Sequence, residues 1–230
     1  MGTLAPQIVS LVLRSIMADI QTAERIKQKA HDLVMQFGIR SVSMDDIASA
    51  LGMSKKTIYQ YFADKDELVE AVIKYKTDEN QQCCIKDKLS AKDAVHEVFL
   101  AIEMMQEMFS NMNPSIIHDL EKFHPKAYSI FHSHKYNFLY KVLKENIERG
   151  IAEGVYREDI DTDIIVKVRL ESMMMAFNQQ VFPKAKYSLV QVETKLTEHF
   201  LFGLASLKGH KLILKYQQER KNNTINDKKK

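Results

Sequence analysis

Tryptophan is absent from the 230 residues, and glycine, proline and cysteine number only 7, 4 and 2. Ordinary usage is roughly 7% glycine and 5% proline, so both breakers of regular structure are in short supply. An all-β chain needs many turns, and turns need those residues. Neither GxGxxG nor GxxxxGK followed by Ser or Thr occurs, which argues against a dinucleotide fold or a P-loop. The two cysteines, Cys83 and Cys84, are adjacent. Neighbours bridge rarely and with strain, so no disulfide framework is expected and the setting reads as reduced and cytoplasmic. No stretch approaches the ~18–20 apolar residues of a membrane span, and no membrane partner is expected. The best candidate, 8–20, is broken by Ser10, Arg14, Ser15 and Asp19. No Lys or Arg precedes it, so it is also a poor signal peptide. Residues 1–19 are read as an N-terminal extension or leader.

What remains is a chain with 45% apolar and 27% charged residues, the profile of a soluble globular protein with long helices and few joints. The net charge of +3 hides its distribution: residues 1–65 carry +2, 66–207 carry −5 and 208–230 carry +6. The basic excess sits in a short tail, so bulk charge alone does not identify a nucleic-acid binder.

Apolar periodicity predicts an all-α fold. In 22–37, Ile26, Ala30, Leu33, Val34 and Phe37 share one helical face, with Thr22 as N-cap and Gly38 as stop. Ser43 opens a second helix, with Asp45 and Asp46 in the first turn where the dipole favours carboxylates. Ile47, Ala48 and Leu51 are its buried face and Gly52 its end. Ser54 caps a third helix, 55–61, and Asp64 a fourth, 65–76. The polar run 78–88 reads as a joint. Further helices are expected at 91–111, 114–123, 125–153, 162–182 and 188–207, followed by a weakly helical 210–220 and a disordered basic tail from 221.

Two short helices joined by a tight glycine turn make a helix-turn-helix, whose second helix enters the major groove of DNA. Ala48 allows close helix approach, and Gly52 suits a turn of positive φ. Ile58 and Phe62 face inward. That leaves Lys55, Lys56, Thr57, Tyr59, Gln60 and Tyr61 for solvent or DNA. Outside such a motif the lysines would read as an ordinary solvated face and the tyrosines as half-buried packing. The segment 20–73 resembles the TetR family of bacterial transcriptional regulators. The matching residues are Thr22, Ile26, Ala30, Phe37, Gly38, Ser43, Ile47, Ala48, Gly52, Met53, Ser54, Thr57, Ile58, Tyr59, Tyr61, Phe62, Lys65, Asp66, Glu67 and Leu68. The rest of the chain is similar only in size, helical content and plan. Lys56 departs from the pattern, standing where the family often has a small residue. The resemblance implies a homodimer that binds a near-palindromic operator and releases it when a ligand fills the C-terminal half. It implies phosphate contacts from Ser43 and Lys65 and backbone contacts from Tyr59 and Tyr61. Ser54, Lys55, Lys56, Thr57 and Gln60 would complete the DNA-facing set. Their chemistry agrees: Lys suits G O6/N7, Gln suits A N6/N7, and Thr suits a thymine methyl.

The expected organisation is an extension at 1–19, a three-helix DNA-binding head at 20–66, a helical ligand-binding and dimerisation domain at 67–207, and a basic tail at 208–230. The second domain is rich in soft side chains. Met104, Met108, Phe109, Phe123, Phe131, Met174 and Phe177 are candidate lining for a small apolar or aromatic effector, although such stripes usually serve as core. Val166, Leu170 and Met173, with Val192, Leu196, Phe200 and Gly203, are candidate dimer-interface residues on two long helices that would form a four-helix bundle with their symmetry mates. His118, His124, His132 and His134 show no metal-ligand spacing, so neither a metal nor a cofactor is expected. No nucleophile elbow or phosphate loop appears, so no catalytic residue is assigned. Two other readings stay open: a sequence-independent DNA-coating protein that uses the lysine tail, and an all-helical enzyme.

Overall fold

In the computed structural model, residues 6–227 are described, and they are helical with short joints. The α-helices are α1 (Pro6–Phe37), α2 (Met44–Leu51), α3 (Lys55–Tyr61), α4 (Lys65–Ser90), α5 (Ala94–Phe109), α6 (Ile116–Phe123), α7 (Pro125–Ser133), α8 (Tyr140–Ala152), α9 (Thr162–Met175), α10 (Leu189–Leu204) and α11 (Leu207–Asp227). A π-helical turn, His134–Leu139, joins α7 to α8. Among the described residues the sole β feature is an isolated antiparallel bridge between Tyr156 and Ala205.

Several boundaries differ from the sequence reading. The first helix starts at Pro6, where proline suits the first turn, and not at Thr22. The Thr22 hydroxyl donates instead to the Ala18 carbonyl one turn back, at 2.8 Å. The run 78–88 is no joint: it is the second half of α4. It lacks Gly and Pro, and its Gln and Lys residues are good helix formers. The expected boundary between 66 and 67 therefore falls inside a continuous helix. The helix expected to reach residue 182 stops at Met175. The Asn178 side chain then takes the Gln180 amide at 2.9 Å and starts a turn. The chain from Leu207 onward is helix, not tail, as far as Asp227. Ile213 and Tyr216 are buried, and the Tyr216 hydroxyl donates to Asp93 at 2.6 Å. Residues 228–230 of the expected tail, and 1–5 of the expected extension, lie outside the described residues.

The chain divides into two compact units. The first holds the described residues up to Tyr75 together with Ser115–Tyr128, and the second holds Lys76–Pro114 and the described residues from Ser129 onward. In the first unit Ile26, Ala30 and Val34 of α1 are buried, as are Ile47 and Ala48 of α2, Ile58 of α3, Leu68 and Val72 of α4, and Leu120 of α6. Each large aliphatic side chain so buried contributes about 1.5–3 kcal/mol. Phe37, expected on the inner face of α1, is exposed. In the second unit one cluster gathers Val95, Phe99 and Ile102 of α5, Ile147 of α8, Val166 and Leu170 of α9, Leu201 of α10 and Ile213 of α11. Arg149 fastens the start of α5. It donates to Glu153 at 2.6 Å, to Glu97 at 3.3 Å and to the Ala91 carbonyl at 3.2 Å, while Glu153 accepts the Ala94 amide at 2.8 Å.

Candidate nucleic-acid interface

The interface is built by α2 and α3. Ser43 forms a capping box: its hydroxyl accepts the Asp46 amide at 3.1 Å, and the Asp46 carboxylate accepts the Ser43 amide at 2.8 Å. The Ser43 hydroxyl also donates to that carboxylate at 2.6 Å, and these bonds from Ser43 hold the Asp46 carboxyl below its ordinary range. Gly52 closes α2 with φ 65°, a left-handed conformation that costs a side chain but not glycine. The Met53 amide reaches back to the Ala48 carbonyl at 2.9 Å, which turns the chain within three residues. Ser54 then caps α3 by accepting the Thr57 amide at 3.1 Å.

Ile58 and Phe62 bury the inner face of α3, which commits its other side to the outside. Lys56, Tyr59 and Gln60 are exposed there. Lys55 is exposed and pairs with Asp45 of α2 at 2.9 Å; that bond and charge raise its ammonium above the ordinary lysine value. An exposed pair of this kind is weak, so Lys55 can exchange Asp45 for a phosphate or a base edge. Thr57 is half-buried, its hydroxyl 2.8 Å from that of Ser54.

Two further DNA-facing candidates bond to residues distant in the chain, also inside the first unit. The Lys65 ammonium donates to the Ile39 carbonyl at 2.6 Å. Burial pushes it down from the ordinary lysine value, against the pull of Asp119, Asp66 and Asp46. The Tyr61 hydroxyl donates to Asp19 at 3.1 Å, so residues read as an extension reach the end of α3. The sequence carried no signal for either bond, because each joins residues far apart in the chain.

The candidate effector residues are not brought together. Phe123 lies in the first unit under the Arg40 guanidinium, 4.8 Å from its ring centre. Met108 is exposed, and Phe131 and Met174 are half-buried. The Met104 sulfur accepts a hydrogen bond from Asn80 at 3.5 Å. Phe109 and Phe177 do meet, edge to face at 5.7 Å. The second unit has a cavity of about 290 Å³ lined by Phe109, Met112, Phe182, Tyr187 and Val192, with Lys184 and Lys186 also in its wall. Of the seven expected residues, only Phe109 lines it.

The candidate interface residues split in the same way. Val166, Leu170 and Val192 are buried in the unit's own core, where they are consumed by intrachain packing. Leu196 and Phe200 are half-buried and Gly203 is exposed. The outward stripe of α9 is instead Ile164, Val168 and Met175. Arg169, which the sequence reading did not single out, is buried with Glu193 of α10 at 3.2 Å and donates to Thr197 at 2.7 Å. Its place between Val166 and Leu170 on the inward stripe was the available signal.

A capped glycine turn presenting an exposed lysine, tyrosine and glutamine defines a helix-turn-helix DNA-binding unit. Residues 26–72 match the family model described as bacterial regulatory proteins, tetR family. The HTH-type transcriptional regulator YvaF of Bacillus subtilis is 31% identical over 109 residues, which span 46% of this chain and 55% of that relative. A TetR-family regulator from Agrobacterium tumefaciens shares the fold at TM-score 0.70 and 16% identity, over 82% of this chain and all of that one. The transcriptional regulator FadR of Bacillus subtilis, solved with stearoyl-CoA, matches at TM-score 0.61 and 20% identity, over 79% of this chain and 98% of that one. Residues 26–72 thus form a helix-turn-helix segment of the TetR type, and the chain is similar to HTH-type transcriptional regulators, spanning about half the length of YvaF.

Proposed function

We propose that the protein is a dimeric, cytoplasmic repressor that binds a near-palindromic operator and leaves it when a small molecule enters the second unit. The observation that carries this reading is the outer face of α3. Lys56, Tyr59 and Gln60 stand exposed on a short helix whose inner side is anchored by Ile58. Lys56 and Gln60 would read bases, Lys55 and Tyr59 would hold the backbone, and Thr57 would touch a thymine methyl. Ser43, Ser54, Tyr61 and Lys65 would order that surface through the bonds they already make, and Ser43 and Lys65 would add phosphate contacts. The dimer would pack the outward side chains of α9, Ile164, Val168 and Met175, with Leu196, Phe200 and Gly203 of α10, against their two-fold mates.

The effector would enter the cavity beside Phe109. An apolar body suits Phe182, Tyr187 and Val192, and the two lysines favour a neutral or acidic end over a cation. The FadR structure, which holds stearoyl-CoA, shares this fold and is consistent with a ligand of that polarity. Helix α4 continues from one unit into the other and is the natural lever between effector and DNA. Coupling of ~1–3 kcal/mol would weaken DNA binding by roughly 5–150-fold, with a reciprocal loss of effector affinity on DNA. The test is a gel-shift competition followed by a compound screen. A specific regulator keeps its operator in excess random duplex, and a coating protein loses it. Long-chain acids and neutral aromatics, scored by thermal shift with and without operator, should yield a binder weakened by DNA. A binder indifferent to the operator would refute the coupling.

A further inference from the structure

Three potential metal-ligating atoms from three separate elements, two of them soft sulfurs, meet at one side chain in the second unit. Asn80 and Cys84 lie four residues apart on α4, and so on one helical face. The Asn80 carboxamide oxygen is 2.9 Å from His134 Nε2 and 3.8 Å from Cys84 Sγ. Its nitrogen is 3.5 Å from Met104 Sδ. Thiol, thioether and imidazole thus converge on a single amide. His134 is buried and begins the π-helical turn, with its ring stacked on Phe138 at 5.3 Å. Such turns are rare and are found often at functional sites.

We propose that Cys84, Met104 and His134 form a binding site for a soft monovalent metal ion, Cu(I), with Asn80 as the group that the ion displaces. The donor set selects the ion, because thiolate and thioether sulfurs favour Cu(I) over hard cations. Charge selects it too. On binding, the Cys84 thiol gives its proton to solvent and the thiolate bonds to the metal. A thiolate with Cu(I) is neutral, whereas a divalent ion would leave a net positive charge in partly buried surroundings, which is unfavourable. The outer shell fits as well. Gln81 lies 3.4 Å from His134 Nδ1. With its amide turned, it accepts the Nδ1 proton and frees the Nε2 lone pair for the metal, as an orienting partner does for a ligating histidine. The separate motifs were visible in the sequence, but their meeting depends on α4, α5 and the π-helical turn converging. Histidine spacing along the chain could not reveal it.

The test is a titration of the full-length reduced chain with Cu(I) supplied as its bicinchoninate complex under anaerobic conditions. The chain should withdraw one copper per subunit and develop an ultraviolet thiolate-to-copper band. Cys84→Ser should abolish that band. Met104→Leu, a swap of similar volume that leaves the fold intact, and His134→Gln should each weaken binding by roughly tenfold or more. Cys83→Ser should bind as wild type, and circular dichroism should show every variant folded. Failure to withdraw copper would overturn the proposal. So would equal loss in Cys83→Ser, unchanged binding in both Met104→Leu and His134→Gln, or tighter binding of Zn(II) than of Cu(I).

Discussion

Single residues set the tolerances of this protein. Gly150 lies against the Tyr156 ring, and a β-carbon there would sit 2.0 Å from Cδ2. The ring cannot retreat: it is buried, and its hydroxyl, with one proton to give, lies 3.1 Å from the Ala94 carbonyl and 3.2 Å from Asn146 Oδ1. Gly150→Ala should therefore destabilise the chain by about 1–3 kcal/mol, as overpacked sites do, and a thermal melt would show it. His134 predicts a dependence on pH. Burial lowers its affinity for a proton in the folded chain, while nearby Asp78 acts the other way. Below pH 6.5 the unfolded chain takes up a proton that the folded chain refuses. Stability from this group is thus present above that pH and lost as pH falls. His134→Gln should flatten that part of the stability profile in denaturant titrations at stepped pH. An unchanged slope would mean that the folded ring takes up its proton as readily as the unfolded one.

Helices and their pairings make the next level. Arg169 of α9 and Glu193 of α10 form a buried pair, and burial raises the Glu193 carboxyl while lowering the Arg169 guanidinium. Removing one partner leaves the other charge stranded. Arg169→Met alone should cost about 3–5 kcal/mol, while Arg169→Met with Glu193→Leu should recover most of it. A double-mutant cycle by urea unfolding measures the difference. The outward stripe of the same helices carries the proposed interface. Val168→Glu should give monomers in sedimentation while leaving the fold intact, because Val168 is 56% exposed. Gly203→Arg should act likewise, since nothing lies within 4 Å of a β-carbon there.

These elements also show what could be read in advance. The helix-turn-helix was legible to the residue because caps, glycine turn and apolar spacing are local: Ser43, Gly52, Ser54 and Ile58 each do what short-range rules require. Helix ends marked only by polarity were misplaced. The runs 78–88 and 221–227 continue as helix, because charged residues form helices as readily as they form loops. Faces were the hardest to read. On α9 the spacing of Val166 and Leu170 is equally good for core and for interface, and only the packing of α5 and α10 decides.

For the molecule as a whole, regulation requires two units that communicate. The first carries α3, the helix proposed to read DNA, the second the cavity and the proposed dimer helices, and α4 contributes residues to both. Among the described residues no helix is long and apolar enough to cross a membrane. The central claim is that α3 reads base sequence, and selection from a random duplex library tests it most directly. The wild-type chain should enrich a near-palindromic motif with half-sites about one helical turn apart, ~34 Å, or a little more. Gln60→Ala should shift the preferred base at one position in each half-site, while Tyr59→Phe should weaken binding to all sequences alike. Enrichment of no motif, or of a motif that is the same in wild type and in the Lys56→Ala, Gln60→Ala double variant, would contradict the account.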